Sequence, residues 1–179
     1  MERTVLVYLA GPEVFLPSRV KVFDDMYELC RSSGLTPVGP SEADPGATGK
    51  FTAEDIYRSN IEQIRRADVV IADMTHFRGA EPDSGTCFEV GFAVATGKPC
   101  YLYCDDAATA VDRVRQFHAP VSVGPAGHPV DDTGRSIEDF GFPVNLMMAV
   151  PGTLVVGDFT EVVAKVARDL SNGTLVINR

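Results

Sequence analysis

A chain of 179 residues, 45% hydrophobic and 23% charged, has the make-up of one globular domain with a substantial core and is too short for two of typical size. Its formal charge of -9, with lysines and arginines scattered rather than clustered, excludes a broad phosphate-binding face and hence nucleic acid as a partner. No apolar stretch approaches membrane-spanning length, and Gly11-Pro12 cuts off the first apolar run before it could act as a signal-peptide core. A cytoplasmic protein with no membrane partner is expected. The four cysteines (Cys30, Cys87, Cys100, Cys104) form no C-x-x-C pair, which fits a reducing compartment.

The elements follow in chain order. Residues 4–10 form a continuous apolar run closed by Gly-Pro, the pattern of a strand buried on both faces. From 18 to 33, Phe23, Met26, Tyr27 and Cys30 recur at helical spacing, and Gly34 supplies the stop. A short strand at 36–38 leads into a Gly/Pro/Ala loop at 41–50. Thr52 opens a helix with Glu54 and Asp55 in its first turn and Arg65 and Arg66 in its last, as the helix dipole favours. Residues 68–73 form a third strand ending at Asp73, and a loop at 74–85 precedes a helix from about 86 to 96. A fourth strand at 99–104, a short helix at 111–117 and an aperiodic stretch at 118–144 come next. A connection that long is usually functional or disordered. A short helix at 145–150, a fifth strand at 154–156 and a helix at 160–170 complete the chain.

Strands alternating with helices predict an α/β fold: one domain over 1–179 with a doubly wound, mainly parallel five-stranded sheet in a three-layer sandwich. Ligands of such sheets bind outside the carboxyl ends of the strands. Tyr8, Pro40, Asp73 and the segment from Asp83 to Glu89 all fall there, which is the family-independent argument for a site.

Each candidate also has an ordinary reading. Thr86-x-x-Glu89 fits a capping box, with Glu89 bonding back to the cap at the third helical position. A carboxylate in the first turn would also gain from the dipole, lowering its pKa and keeping it ionised as a nucleophile. Asp73 is either a turn cap or a proton donor, Asp83 a cap or turn residue, and Tyr8 an ordinary sheet aromatic. Their joint placement favours chemistry. Other matches fail. Asp83-Ser-Gly-Thr with Asp132-Thr-Gly imitates the aspartic-protease motifs, but those folds are all-β. Gly46-Ala-Thr-Gly-Lys50 lacks the first glycine and final Ser/Thr of a phosphate loop. His76, His118 and His128 lack metal-ligand spacing, and no Gly-x-Gly-x-x-Gly is present.

Several segments carry a resemblance: Tyr8-Leu-Ala-Gly-Pro-Glu-Val-Phe15, Ala67-Asp-Val-Val-Ile-Ala-Asp73, Asp83-Ser-Gly-Thr-Cys-Phe-Glu89-Val-Gly-Phe-Ala, Gly97-Lys-Pro99 and Asn145-Leu-Met147. In order and over residues 4–170 they resemble the nucleoside 2-deoxyribosyltransferases, flavodoxin-like (Rossmann-like) enzymes that exchange the base of a 2′-deoxynucleoside for a free nucleobase. The resemblance implies Glu89 as the nucleophile forming a covalent glycosyl ester, Tyr8 orienting it, and Asp73 protonating the departing base. It further implies Asp83 on the sugar hydroxyls, Asn145 donated by a neighbouring subunit to the 5′-hydroxyl with Met147 beside it, and Phe15 and Glu42 among the substrate contacts. No cofactor and no metal are called for. The active unit would be a homo-oligomer, a dimer or hexamer, acting on small-molecule nucleosides. Two alternatives stay open: an N-glycosidase on the same fold, with water replacing the incoming base, and a flavodoxin-like binding module that does not need Glu89.

Overall fold

The computed structural model describes residues 4–40, 52–118 and 120–177. Its main sheet has five strands: β1 (Val5–Ala10), β2 (Leu35–Val38), β3 (Val69–Asp73), β4 (Cys100–Cys104) and, after a small hairpin, β7 (Thr153–Val156). They lie in the order β2-β1-β3-β4-β7 and every pair is parallel. This is the flavodoxin-like order, and its switch point lies between β1 and β3. The register sets Ala10 beside Ala72 and Asp73 beside Tyr103, so the carboxyl ends form one edge.

Side chains alternate across the sheet and fill two cores. On one face Val7, Leu9, Val69, Ile71, Tyr101 and Tyr103 meet α1 (Arg19–Ser32), through Phe23 and Met26, and α6 (Phe159–Ser171), through Val162 and Val166. On the other, Tyr8, Val70, Ala72 and Leu102 meet α2 (Ala53–Arg66), through Ile64, and α3 (Ser84–Ala95), through Val90 and Ala93. The expected three-layer sandwich results. Thr52 and Asp55 close a complete capping box that starts α2, and Thr109 and Asp112 do the same for α4 (Ala110–Phe117).

The stretch at 118–144 holds structure that its sequence hides. Two short antiparallel strands, β5 (Ser122–Val123) and β6 (Pro129–Val130), form a hairpin. Asp131 Oδ1 then ties the following turn by accepting from Thr133 N, Thr133 Oγ1 and Arg135 N. Two-residue strands are too short to leave a periodic pattern. A 3-10 turn at Pro12–Phe15 and the four-residue α5 (Leu146–Ala149) complete the described elements. The loop at 41–50, with Glu42, lies outside the described residues. Among the described residues no helix is long and apolar enough to cross a membrane.

Candidate active site

Glu89 is the sixth residue of α3, in its second turn. The true N-cap is Asp83, whose Oδ2 accepts from Thr86 N at 2.9 Å and from Thr86 Oγ1 at 3.1 Å. The capping box at Thr86 and Glu89 is therefore not formed, and the expectation of a depressed Glu89 pKa fails with it. Burial instead pushes the Glu89 carboxyl up to about 7; bonds from Tyr8 and Asn60 oppose this and the nearby charge of Asp83 adds to it.

The second turn places Glu89 against β1. The Tyr8 hydroxyl, fully buried, donates to Glu89 Oε1 at 2.7 Å. Asn60 Nδ2, from α2, donates to the same oxygen at 3.1 Å. Among the described residues no donor reaches Oε2. Burial and the charge of Glu89 raise the Tyr8 pKa far above its ordinary value, so Tyr8 remains a donor throughout the physiological range. The residue pairing was expected for Tyr8. Asn60 was missed, because a polar residue on an amphipathic helix 29 positions from its partner has no local signature.

Asp73 belongs to a second cluster. Strand alternation turns it to the face of Val69 and Ile71, away from Tyr8. Its Oδ1 accepts from Thr75 N at 2.8 Å, and its carboxyl lies within hydrogen-bonding reach of Glu13. Tyr103 donates to Glu13 Oε1 at 2.9 Å. The structure thus brings Tyr8, Glu89 and Asp83 together and sets Asp73 with Glu13 and Tyr103, the two groups flanking the same carboxyl edge.

Phe15, 53% exposed, stacks on Phe77 at 5.3 Å and 19°, with the Arg78 guanidinium 5.2 and 4.5 Å from the two rings. Phe77 and Arg78, on the loop after β3, gave no signal in the sequence. The buried Arg113 fastens that loop by donating from Nε to Ala80 O at 2.7 Å and from Nη1 to Ala108 O at 2.6 Å. Asn145 caps α5: its Oδ1 accepts from Met147 N at 3.0 Å while its Nδ2 donates to Glu138 Oε1 at 2.7 Å. Met147 is 74% exposed. His76, Asp105 and Asp106 offer ligand atoms within 4.8 Å of one another, a grouping the linear spacing did not suggest; both acids are exposed.

A half-buried carboxylate held by two neutral donors near the switch point of a flavodoxin-like sheet lies where ligands of such sheets bind. Comparison with known proteins narrows the class. The sequence model of the nucleoside 2-deoxyribosyltransferase family matches residues 7–147, and the chain belongs to that family. The chain is 31% identical to a solved 2-desoxiribosyltransferase from Leishmania mexicana, with 92% of this chain and 97% of that one covered and a TM-score of 0.73. It is 29% identical over 172 residues to an uncharacterized Schizosaccharomyces pombe protein, covering 86% of this chain and 82% of the relative. A conserved protein of Enterococcus faecalis shares the fold at 17% identity, with a TM-score of 0.59 over 93% of this chain and 99% of that one.

Proposed function

We propose that this protein exchanges the base of 2′-deoxynucleosides by a retaining double displacement in which Glu89 forms a covalent deoxyribosyl ester. The observation that carries this reading is the pair of donors on Glu89 Oε1, from Tyr8 and Asn60, which fixes the carboxylate and leaves Oε2 without a partner among the described residues. Two uncharged donors orient the group without tying its charge into an ion pair, so the second oxygen can attack C1′ of the sugar. Asp83 binds the sugar hydroxyls, Asp73 serves the departing base, and the Phe15–Phe77 stack offers the base an aromatic neighbour. Asn145 reaches the 5′-hydroxyl from a second copy in a homo-oligomer, with Met147 beside it. Glu42 contacts the base. No cofactor takes part, and the four free cysteines suit a cytoplasmic enzyme of nucleoside reuse.

Glu13, just beyond β1, favours a free nucleoside over a 5′-monophosphate, since a carboxylate there repels phosphate. The test is incubation with deoxyinosine, with and without adenine or cytosine, followed by chromatography of the products. New deoxynucleoside formed only with acceptor base is the expected result. Free base released equally without acceptor would replace transfer by hydrolysis. Glu89→Ala should abolish both, and a 2-fluoro-2-deoxy nucleoside should leave a mass adduct on Glu89.

A further inference from the structure

Glu13 takes no part in the bond-making and bond-breaking steps as written, yet three elements converge on it. From β4, Tyr103 donates to its Oε1 at 2.9 Å. From β3, Asp73 brings its carboxyl within hydrogen-bonding reach. At the end of β1, Gly11 leaves the room: a Cβ there would lie 2.0 Å from Glu13 Oε2 and 3.1 Å from Asp73 Cβ. The Gly11 φ of 171° is extended backbone open to any residue, and a side chain there would push the end of Glu13 away from Asp73. Two carboxyls in such contact cannot both be anionic without strong repulsion, and the favoured state shares one proton between them. Among the described residues, Asp73 and Tyr103 are the titratable groups that act on Glu13, and neither is a cation. The Cys104 thiol, which also feels the charge of Asp73, is pushed up by burial to about 11 and stays neutral.

We propose that Glu13 and Asp73 act as one proton-sharing pair, held by Tyr103, that gives the leaving nucleobase its proton and takes one back from the incoming base. The proposal rests on the base-exchange reading above. Burial first, and then the charge of Asp73, push Glu13 up to about 7, so the pair retains its proton near neutrality. As the bond from C1′ to the base nitrogen breaks, its electron pair passes into the base and the shared proton moves to a base ring nitrogen. Glu89 Oε2 meanwhile bonds to C1′. The two carboxylates left behind are steadied by Tyr103 on Glu13 and by the Thr75 N–H on Asp73. The incoming base attacks C1′ through a ring nitrogen, yields that nitrogen's proton to the pair, and Glu89 departs as carboxylate. Glu13 is a positioning residue in this scheme, acting through Asp73.

The experiment uses two donors that differ in their need for a proton. With deoxyinosine, Glu13→Gln and Asp73→Asn should each lower kcat/KM about 10²-fold, whereas 7-methyl-2′-deoxyinosine, whose cationic base leaves neutral, should change by less than about threefold. Equal losses on both donors would overturn the proposal in favour of a structural role. Infrared titration of carboxyls gives a readout that needs no turnover. In the Glu89→Ala protein one buried carboxyl should still titrate near neutral pH, and adding Glu13→Gln should remove it. Absence of that signal in Glu89→Ala overturns the shared proton. An intact signal in Glu89→Ala, together with a wild-type protein that turns over no nucleoside, supports the shared proton and sinks base exchange instead.

Discussion

A carboxylate that attacks carbon, the role proposed for Glu89, needs to be ionised, fixed and poorly solvated, and these demands conflict. Glu89 meets them through burial, which raises its pKa to about 7, and through neutral donors that recover part of the ionised form. The reaction should therefore lose activity as pH falls below about 7, kcat/KM dropping close to tenfold per unit. Tyr8→Phe removes a donor that favours the anion, so its acid limb should move to higher pH, with kcat reduced about 10–100-fold. A Tyr8→Phe profile with an unmoved limb would mean the hydroxyl does not act on Glu89. The same shift has a stability sign. With a folded pKa near 7 against an ordinary 4.5, the fold keeps a proton that the unfolded chain has already lost, so stability falls as pH rises between those values. Glu89→Gln should melt close to the wild type near pH 4.5 and roughly 5 °C above it at pH 8, by calorimetry. No improvement at pH 8 would argue that the carboxyl is not strained by burial.

The start of α3 shows how an element's frame decides a residue's chemistry. Both Asp83-x-x-Thr86 and Thr86-x-x-Glu89 obey the spacing of a helix cap, and sequence alone does not choose between them. The bonds from Thr86 to Asp83 Oδ2 choose the first, and the three-residue difference moves Glu89 out of the first turn and onto Tyr8. Asp83→Asn keeps an acceptor for Thr86 and removes the negative charge near Glu89. It should keep its thermal midpoint and move the acid limb of activity to lower pH. Asp83→Ala also loses the cap, at a cost of about 1 kcal/mol measurable by urea unfolding. If Asp83→Asn leaves the limb in place, the electrostatic link from Asp83 to Glu89 is wrong.

At the scale of the molecule, Asn145 tests whether one copy of the chain is enough. Within the chain it caps α5 and bonds Glu138, while Met147 and Val150 beside it are 74% and 70% exposed. If Asn145 serves a neighbour's site, Asn145→Ala and Glu89→Ala proteins, each inactive, should recover about a quarter of wild-type activity when mixed and exchanged as dimers, since half the dimers carry one intact site in two. No recovery would place Asn145 in its own chain's site or outside it. The sequence by itself determined the alternation of strands and helices, the parallel sheet, and the gathering of Tyr8, Asp73, Asp83 and Glu89 at its carboxyl edge. Those are consequences of periodicities and stop signals that each segment carries within itself. Tertiary structure alone decided that Tyr8 and Asn60 share one Glu89 oxygen, that Asp73 faces Glu13 on the opposite side of the sheet, and that Tyr103 joins them. These contacts cross separations of 29 to 90 residues, and such pairings depend on register and strand facing, which no local pattern records.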